Sequence, residues 1–212
     1  QEALRLDPEN VLANYNFGTL LARQGRDQEA ISHYQLALVH DPNHKDLHFN
    51  LANAFLRVRQ YDQAATHFDR VVDMSPMYAA ARFGQAKALA NLQRWEEART
   101  LLEEGYAAQE GKIQLGEALS RLLAACPVDT LRDGPRALKI IEHIVSFERT
   151  MFTVEAHAMA LAELGRFEEA IPLQEECLTA ARQEGRQDLE AILEANMAQY
   201  RQQQPSRRPL GE

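Results

Sequence analysis

Residues 11–44 read VLANYNFGTLLARQGRDQEAISHYQLALVHDPNH, and the stretches 45–78 and 79–112 align beneath them without a gap. The period is therefore 34 residues. Small residues recur at two phases of it, at Gly18, Ala52 and Ala86, and at Ala30, Ala64 and Ala98. Bulky apolar residues recur at two others, at Leu21, Phe55 and Leu89, and at Tyr34, Phe68 and Leu102. A fixed period of this length indicates a stack of similar structural units.

Each unit is predicted to contain two helices, called A and B. In the first unit, apolar residues at helical spacing predict helix A over residues 11–24 and helix B over residues 27–40. Gly25 allows the turn between them. Pro42 ends helix B because proline cannot donate a hydrogen bond to the preceding turn. Gly18 is expected where the backbones of the two helices approach closely.

This pattern resembles the tetratricopeptide repeat (TPR) family, whose 34-residue units are helix pairs. The residues that carry the resemblance in the first two units are Phe17, Gly18, Leu21, Ala30, Tyr34, Ala37 and Pro42, then Leu51, Ala52, Phe55, Ala64, Phe68, Val71 and Pro76. The aromatic residue that often begins helix A is replaced by Asn14, His48 and Arg82, and the third unit ends in Glu110 instead of proline. The resemblance implies an all-α fold, a right-handed superhelical solenoid of antiparallel helix pairs.

The rest of the chain extends this single domain. Residues 1–10 are predicted to end a preceding repeat, so that the chain is a fragment of a larger protein. Residues 113–150 follow the period loosely and predict a divergent repeat, while residues 151–184 return to the pattern. A single amphipathic helix over residues 186–203 is expected to cap the stack, and residues 204–212 to form a disordered tail.

Two local signals qualify the helices of the later repeats. Asp133-Gly134-Pro135 predicts the start of a helix, since proline is favoured in the first turn. Pro172 is expected near the first turn of its helix B, where it costs little more than a mild bend.

Composition excludes several classes of function. The formal net charge of −8 argues against a general nucleic-acid binder, which needs a basic surface for phosphates. No apolar run approaches the ~20 residues of a membrane helix, so no direct membrane insertion is expected. Cys126 and Cys177 form no metal or disulfide framework. No phosphate loop or catalytic signature is present, so neither a cofactor nor an enzymatic activity is predicted.

Histidines give the only metal-like spacing in the sequence. His44 and His48 are four residues apart, which on one helix face would suit a metal ion. Pro42 separates them from His40, and we therefore interpret these histidines as solvated loop residues. His33 and His67, which are 34 residues apart, are likewise expected to be exposed on helix B.

The face of helix A opposite the small residues is the predicted partner-binding surface. In a TPR stack this face lines the concave groove, where amide side chains suit the backbone of an extended peptide. Tyr15, Phe49 and Phe83 form an aromatic row on it, for which packing between neighbouring A helices is an equal alternative. The predicted contact residues are Tyr15, Asn16, Thr19, Arg23, Phe49, Asn50, Asn53, Arg57, Phe83, Lys87 and Asn91.

Some TPR domains hold a partner's C-terminal carboxylate in a clamp of two Lys, two Asn and an Arg. Asn16 and Asn50 match the clamp asparagines, but Leu12, Ala80 and Gly84 stand where the basic residues would be expected. A faithful clamp is therefore not predicted.

The sequence predicts a non-catalytic scaffold that binds a peptide or helical segment of a partner protein in this groove. Bacterial TPR arrays are often joined to transferase, cytochrome or membrane segments. The alternative is therefore a recruiting arm of a larger enzyme or membrane-anchored protein. Self-association through an exposed end is a third hypothesis. The sequence leaves both cytoplasm and periplasm open as the compartment.

Overall fold

The computed structural model describes residues 7–108, 112–208 and 210, and over these ranges it contains α-helices, one 3₁₀ turn and no strand. The helices are α1 (Val11–Arg23), α2 (Asp27–His40), α3 (Lys45–Arg57), α4 (Tyr61–Met74), α5 (Ala79–Asn91), α6 (Trp95–Ala107), α7 (Lys112–Ala125), α8 (Gly134–Val145), α9 (Met151–Glu163), α10 (Phe167–Gln183) and α11 (Gln187–Arg201). None of these helices has both the length and the apolar character that crossing a membrane requires.

The chain divides into two compact units between Leu101 and Leu102, inside α6. In unit 1, each helix from α1 to α5 packs on the next, and the neighbouring A helices also touch, α1 with α3 and α3 with α5. In unit 2, α7 to α11 pack in the same serial order, and α7 also lies directly against α9. The predicted helix pairs are therefore present within each unit.

Side chains cap several of the A helices at their first turn. The Asn10 side chain accepts a hydrogen bond from the backbone of Ala13 at 2.9 Å. Thr150 and Thr153 form a capping box at the start of α9. B helices begin differently, with bidentate Arg–Glu pairs three residues apart at Arg26, Arg94 and Arg166. These caps satisfy or screen the exposed backbone donors of each first turn.

The small residue at Gly18 has a different cause from the one expected. A Cβ atom there would lie 2.7 Å from Cε1 of Tyr34, so the ring of helix B fills the space beside α1. The expectation of a close approach between two backbones is therefore wrong at this position. Tyr34 is 1% exposed and, with Leu21, Phe55 and Phe68, belongs to the core of unit 1.

The turn between helices A and B places one residue in the left-handed region. Gly25 has φ 75° and Gly165 has φ 73° at this point. Arg59 and Gln93 occupy it at φ 61° and 60°, although their Cβ atoms disfavour that conformation. The repeat therefore keeps its turn even where the sequence lacks glycine.

The helix-start signal at residues 133–135 is confirmed. Asp133 caps α8 by accepting from the backbone of Arg136 at 3.0 Å, and Pro135 lies in the first turn. Pro172 lies in the second turn of α10, one turn later than expected, and the helix continues through it.

The end of unit 2 differs from the predicted disordered tail. Helix α11 packs on α10 and buries Leu193, Met197 and Tyr200. Beyond it, Ser206 is 2% exposed and Arg207 Nη1 lies 2.6 Å from Glu163 Oε2. The ion pair to α9 holds the segment through Arg207 against unit 2, so the prediction of disorder is wrong for these residues. The role of α11 as a terminal cap remains a prediction, and the predicted repeat end at residues 1–10 falls mostly outside the described residues.

Candidate functional site on the A helices

The predicted contact residues of unit 1 lie on α1, α3 and α5, and we call their set the unit 1 A-face. The aromatic row packs between helices within this face. The Tyr15 ring lies 6.4 Å from Tyr34 and 5.6 Å from His44. Phe49 repeats these contacts, at 5.9 Å from Phe68 and 5.1 Å from Tyr78. Each ring therefore contacts helix B of its own repeat and the cap of the next A helix, while remaining partly exposed.

Polar side chains beside the row are partly engaged within the protein. Asn50 Nδ2 donates to the Tyr15 hydroxyl at 3.4 Å, which joins the first two repeats. The Thr19 hydroxyl donates to the Tyr15 carbonyl at 2.9 Å and accepts from the Tyr34 hydroxyl at 3.2 Å. Thr19 therefore supports the aromatic residues, and little of its bonding capacity is left for a partner.

Three asparagines retain unused hydrogen-bonding groups. Asn16 is exposed and makes no hydrogen bond to any described residue. Asn53 Nδ2 donates to the Phe49 carbonyl at 2.9 Å, and Asn91 Nδ2 donates to the Lys87 carbonyl at 2.8 Å. Each of these two bonds uses one N–H group and leaves the amide oxygen without a partner among the described residues. Amides in this state can pair with the backbone of an incoming chain.

Arg57 has a structural partner that the sequence did not indicate. Its Nε and Nη2 atoms lie 2.7 and 2.6 Å from Oδ1 of Asp27, at the start of α2. The Asp27 side chain is 11% exposed and that of Arg57 is 47% exposed. The pair ties α3 to the preceding repeat and neutralises much of the positive charge expected on the A-face. Arg23 lies exposed one repeat earlier at the same phase.

A basic clamp residue is sterically excluded at Gly84. A Cβ atom there would lie 2.6 Å from Cε1 of Phe68, so the ring occupies the space of any side chain. Leu12, another position of the basic set, is 66% exposed and apolar. The absence of the clamp in unit 1 thus has a packing cause.

The residues that replace the usual aromatic at the start of helix A share one task. Asn14 Nδ2 donates to the carbonyl of Pro8 at 2.8 Å, His48 Nε2 to that of Pro42 at 2.9 Å, and Arg82 Nε to that of Pro76 at 3.0 Å. All three therefore hold the loop that precedes their own helix. Sequence reasoning missed this role, although the three residues stand at one phase of the period.

The prediction of solvated histidines is wrong for three of them. His48 is 8% exposed, and its Nδ1 lies 2.8 Å from Nδ1 of His67. One repeat earlier, His33 Nδ1 lies 2.8 Å from the amide oxygen of Asn14. Burial, and then the neighbouring His48, lower the pKa of His67 to about 4, and burial lowers the pKa of His33. The signal that could have found these pairs is the constant separation of 19 residues between their members.

The same helical phase carries charge in unit 2. Counting on by the 34-residue period places Glu117 at the position of the aromatic row, and the match of Leu161 to Leu21 places Glu155 there. Arg121 Nη1 lies 2.9 Å from Glu155 and 3.7 Å from Glu117. Burial raises the pKa of Glu117, Arg121 opposes this shift, and Glu155 and Glu148 add to it.

The cysteines offer no reactive or metal-binding group. Cys126 and Cys177 are both free and buried. Burial raises the pKa of Cys177 to about 12, so its thiol stays protonated at neutral pH. Over the described ranges, no three His, Cys, Asp or Glu side chains come together as metal ligands.

Serial helix pairs with a repeated core define a helical-repeat protein. A tetratricopeptide repeat model matches residues 1–45 and 49–113, and a second one matches residues 158–184. The chain therefore belongs to the tetratricopeptide repeat family. No curated protein sequence matches it.

Solved structures of other repeat proteins share this fold. A thermophilic TPR protein of Thermus thermophilus is 19% identical, with a TM-score of 0.67, and the match covers 91% of this chain and 100% of that one. A TPR protein of Parabacteroides merdae is 16% identical, with a TM-score of 0.67, over 94% of this chain and 74% of that one. YrrB, a TPR protein with an unusual peptide-binding site, is 15% identical, with a TM-score of 0.62, over 84% and 90%. These matches confirm the all-α repeat fold.

Proposed function

We propose that this protein is a non-catalytic scaffold whose unit 1 A-face binds an extended segment of a partner protein. Proteins of its family are generally non-catalytic scaffolds, and YrrB, which has this fold, has a peptide-binding site. The observation that carries the proposal is the set of partly unpaired amides at Asn16, Asn53 and Asn91, which lie on successive A helices.

The chemistry of an extended segment fits these amides. An extended chain presents backbone N–H and C=O groups along its length, and each amide can donate to one and accept from another. The partly exposed rings of Tyr15 and Phe49 supply apolar area beside them at low entropic cost, since their neighbours already fix them. Arg57 contributes less than the sequence suggests because Asp27 holds it.

Site-specific photo-cross-linking tests this assignment. A benzoylphenylalanine residue is placed at Asn16 or Asn53 on the A-face, and at the exposed Gln28 or Gln63 on helix B as matched controls. The proposal expects one partner to be cross-linked from Asn16 and Asn53 and not from the controls. Equal or stronger cross-linking from Gln28 and Gln63 would place the partner on the other side of the helix pairs and overturn the proposal.

A further inference from the structure

Unit 2 contains a cavity that the unit 1 A-face does not involve. It has a volume of about 460 Å³ and lies where the first turn of α7 meets the start of α9. This volume falls within the ~300–1,000 Å³ range of ordinary ligand pockets. Ile113 and Phe152 supply apolar wall, and Glu117 and Glu148 supply carboxylates. Phe152 is 43% exposed, so its ring is accessible from solvent.

The rim of the cavity is held in place before any ligand arrives. The Thr153 hydroxyl donates to the Glu148 carbonyl at 3.1 Å and accepts from the backbone of Thr150 at 2.8 Å. The Thr150 hydroxyl in turn accepts from the backbone of Thr153 at 3.2 Å. This capping box fixes the segment that presents Glu148. A fixed rim reduces the entropy lost on binding.

Negative charge at the cavity exceeds positive charge. Arg121 Nη1 lies 3.7 Å from Glu117, beyond hydrogen-bond distance, because it bonds to Glu155 at 2.9 Å. Arg149, next to Glu148 in sequence, is engaged with Glu176 at 2.7 Å. Among the lining residues that the structure describes, two are acidic and none is basic. A cation entering the cavity would therefore meet two incompletely neutralised carboxylates.

We propose that this cavity binds an arginine side chain of a partner protein, flanked in the partner by an apolar residue. The guanidinium forms a planar fork that pairs with carboxylates such as Glu117 and Glu148 and can also stack on the exposed ring of Phe152. Its aliphatic stem packs against Ile113, since long cationic side chains lie along apolar surface with the charge outermost. Lysine satisfies the charge but neither the fork nor the stacking, so it binds less tightly.

An NMR titration of the whole ¹⁵N-labelled chain tests the site with small probes. The probes are acetyl-Leu-Arg-amide, acetyl-Leu-Lys-amide and acetyl-Leu-Gln-amide. We expect saturable shifts confined to amides around Glu117, Glu148 and Phe152, with affinity falling in the order Arg, Lys, Gln. Binding of the arginine probe should weaken at higher salt because the carboxylates lie near solvent.

Paired variants decide whether the cavity is responsible. The E117Q/E148Q variant should bind the arginine probe about fivefold more weakly. E168Q/E184Q, which removes the same charge at exposed positions elsewhere in unit 2, should bind it unchanged. Should the first variant fail to fold, E148Q alone should still weaken binding about twofold, because Glu148 is exposed. Shifts spread over the acidic surface, equal binding of the Gln probe, or equal losses in both double variants would overturn the proposal, and would leave the unit 1 assignment standing.

Discussion

The Nδ1 atoms of His48 and His67 lie 2.8 Å apart, so one proton is shared between two imidazoles in the second repeat. His48 donates through Nε2 to the carbonyl of Pro42, which leaves its Nδ1 as the acceptor for the Nδ1–H of His67. Both rings are then neutral. A second proton on this pair would break the hydrogen bond or place two positive charges in contact.

Acid should weaken the second repeat through this pair. Burial, then His48 and Arg70, lower the pKa of folded His67 to about 4, while an unfolded histidine keeps its ordinary value near 6.5. The unfolded state therefore binds more protons between these values, and stability falls as the pH drops through that window. We expect the native chain to lose about 1–2 kcal/mol more than H67Q between pH 7.5 and pH 5, measured by urea unfolding. An identical loss in both proteins would show that His67 is not the group responsible.

Alanine at Gly84 should destabilise unit 1. Its Cβ would overlap the ring of Phe68, which is fully buried and cannot move without disturbing the core. Overpacking of this kind costs about 1–3 kcal/mol of unfolding free energy, which thermal or urea unfolding can measure. In an F68L background the same change should cost less than half as much, and an equal cost in both backgrounds would contradict the ring contact.

Glycine at Arg59 should stabilise the turn between α3 and α4. Arg59 holds a left-handed conformation at φ 61°, where glycine has no Cβ penalty. After the greater entropy of unfolded glycine is subtracted, a gain of about 0.5 kcal/mol in unfolding free energy remains. The reciprocal change G25A in the first repeat should lower stability, since Gly25 has φ 75°. A loss of stability in R59G would mean that the arginine side chain outweighs the backbone strain.

Alanine at Arg57 should act mainly on stability. Removing it leaves the nearly buried carboxylate of Asp27 without its partner, which should lower the unfolding free energy by about 1 kcal/mol, since Arg57 is half exposed and its charge is partly screened. The D27N/R57A variant should recover part of this loss because no uncompensated charge remains. No recovery would indicate that Arg57 stabilises the protein through packing of its stem.

The sequence predicts the fold well because repetition makes weak signals agree. Leu21, Tyr34 and Ala30 recur in phase, so the helix pairs are specified three times over. Predictions about individual polar side chains are weaker, since a partner can come from another repeat. Asp27 lies 30 residues before Arg57, and only the packing of α2 on α3 brings them together. The histidines were misjudged for the same reason, because helical phase alone does not show which faces two helices bury against each other.

The tail shows a second limit of sequence reasoning. Its prolines and charges are typical of disorder, yet Arg207 finds a carboxylate of α9 at Glu163. The pocket of unit 2 also had no sequence signal, because the residues before α9 that form its rim have no counterpart in the regular repeats. Such features follow from where a particular loop ends, which periodicity does not encode.

The affinity of the cross-linked partner for two matched double variants tests the central claim most directly. N16A/N53A removes amides from successive helices of the A-face, and Q28A/Q63A removes amides from the exposed side of the B helices. Both should retain native helicity in circular dichroism. The account predicts that N16A/N53A raises the Kd at least ~10-fold, from two lost hydrogen-bonding groups, while Q28A/Q63A leaves it unchanged. Unchanged affinity in N16A/N53A, or an equal loss in both variants, would contradict it.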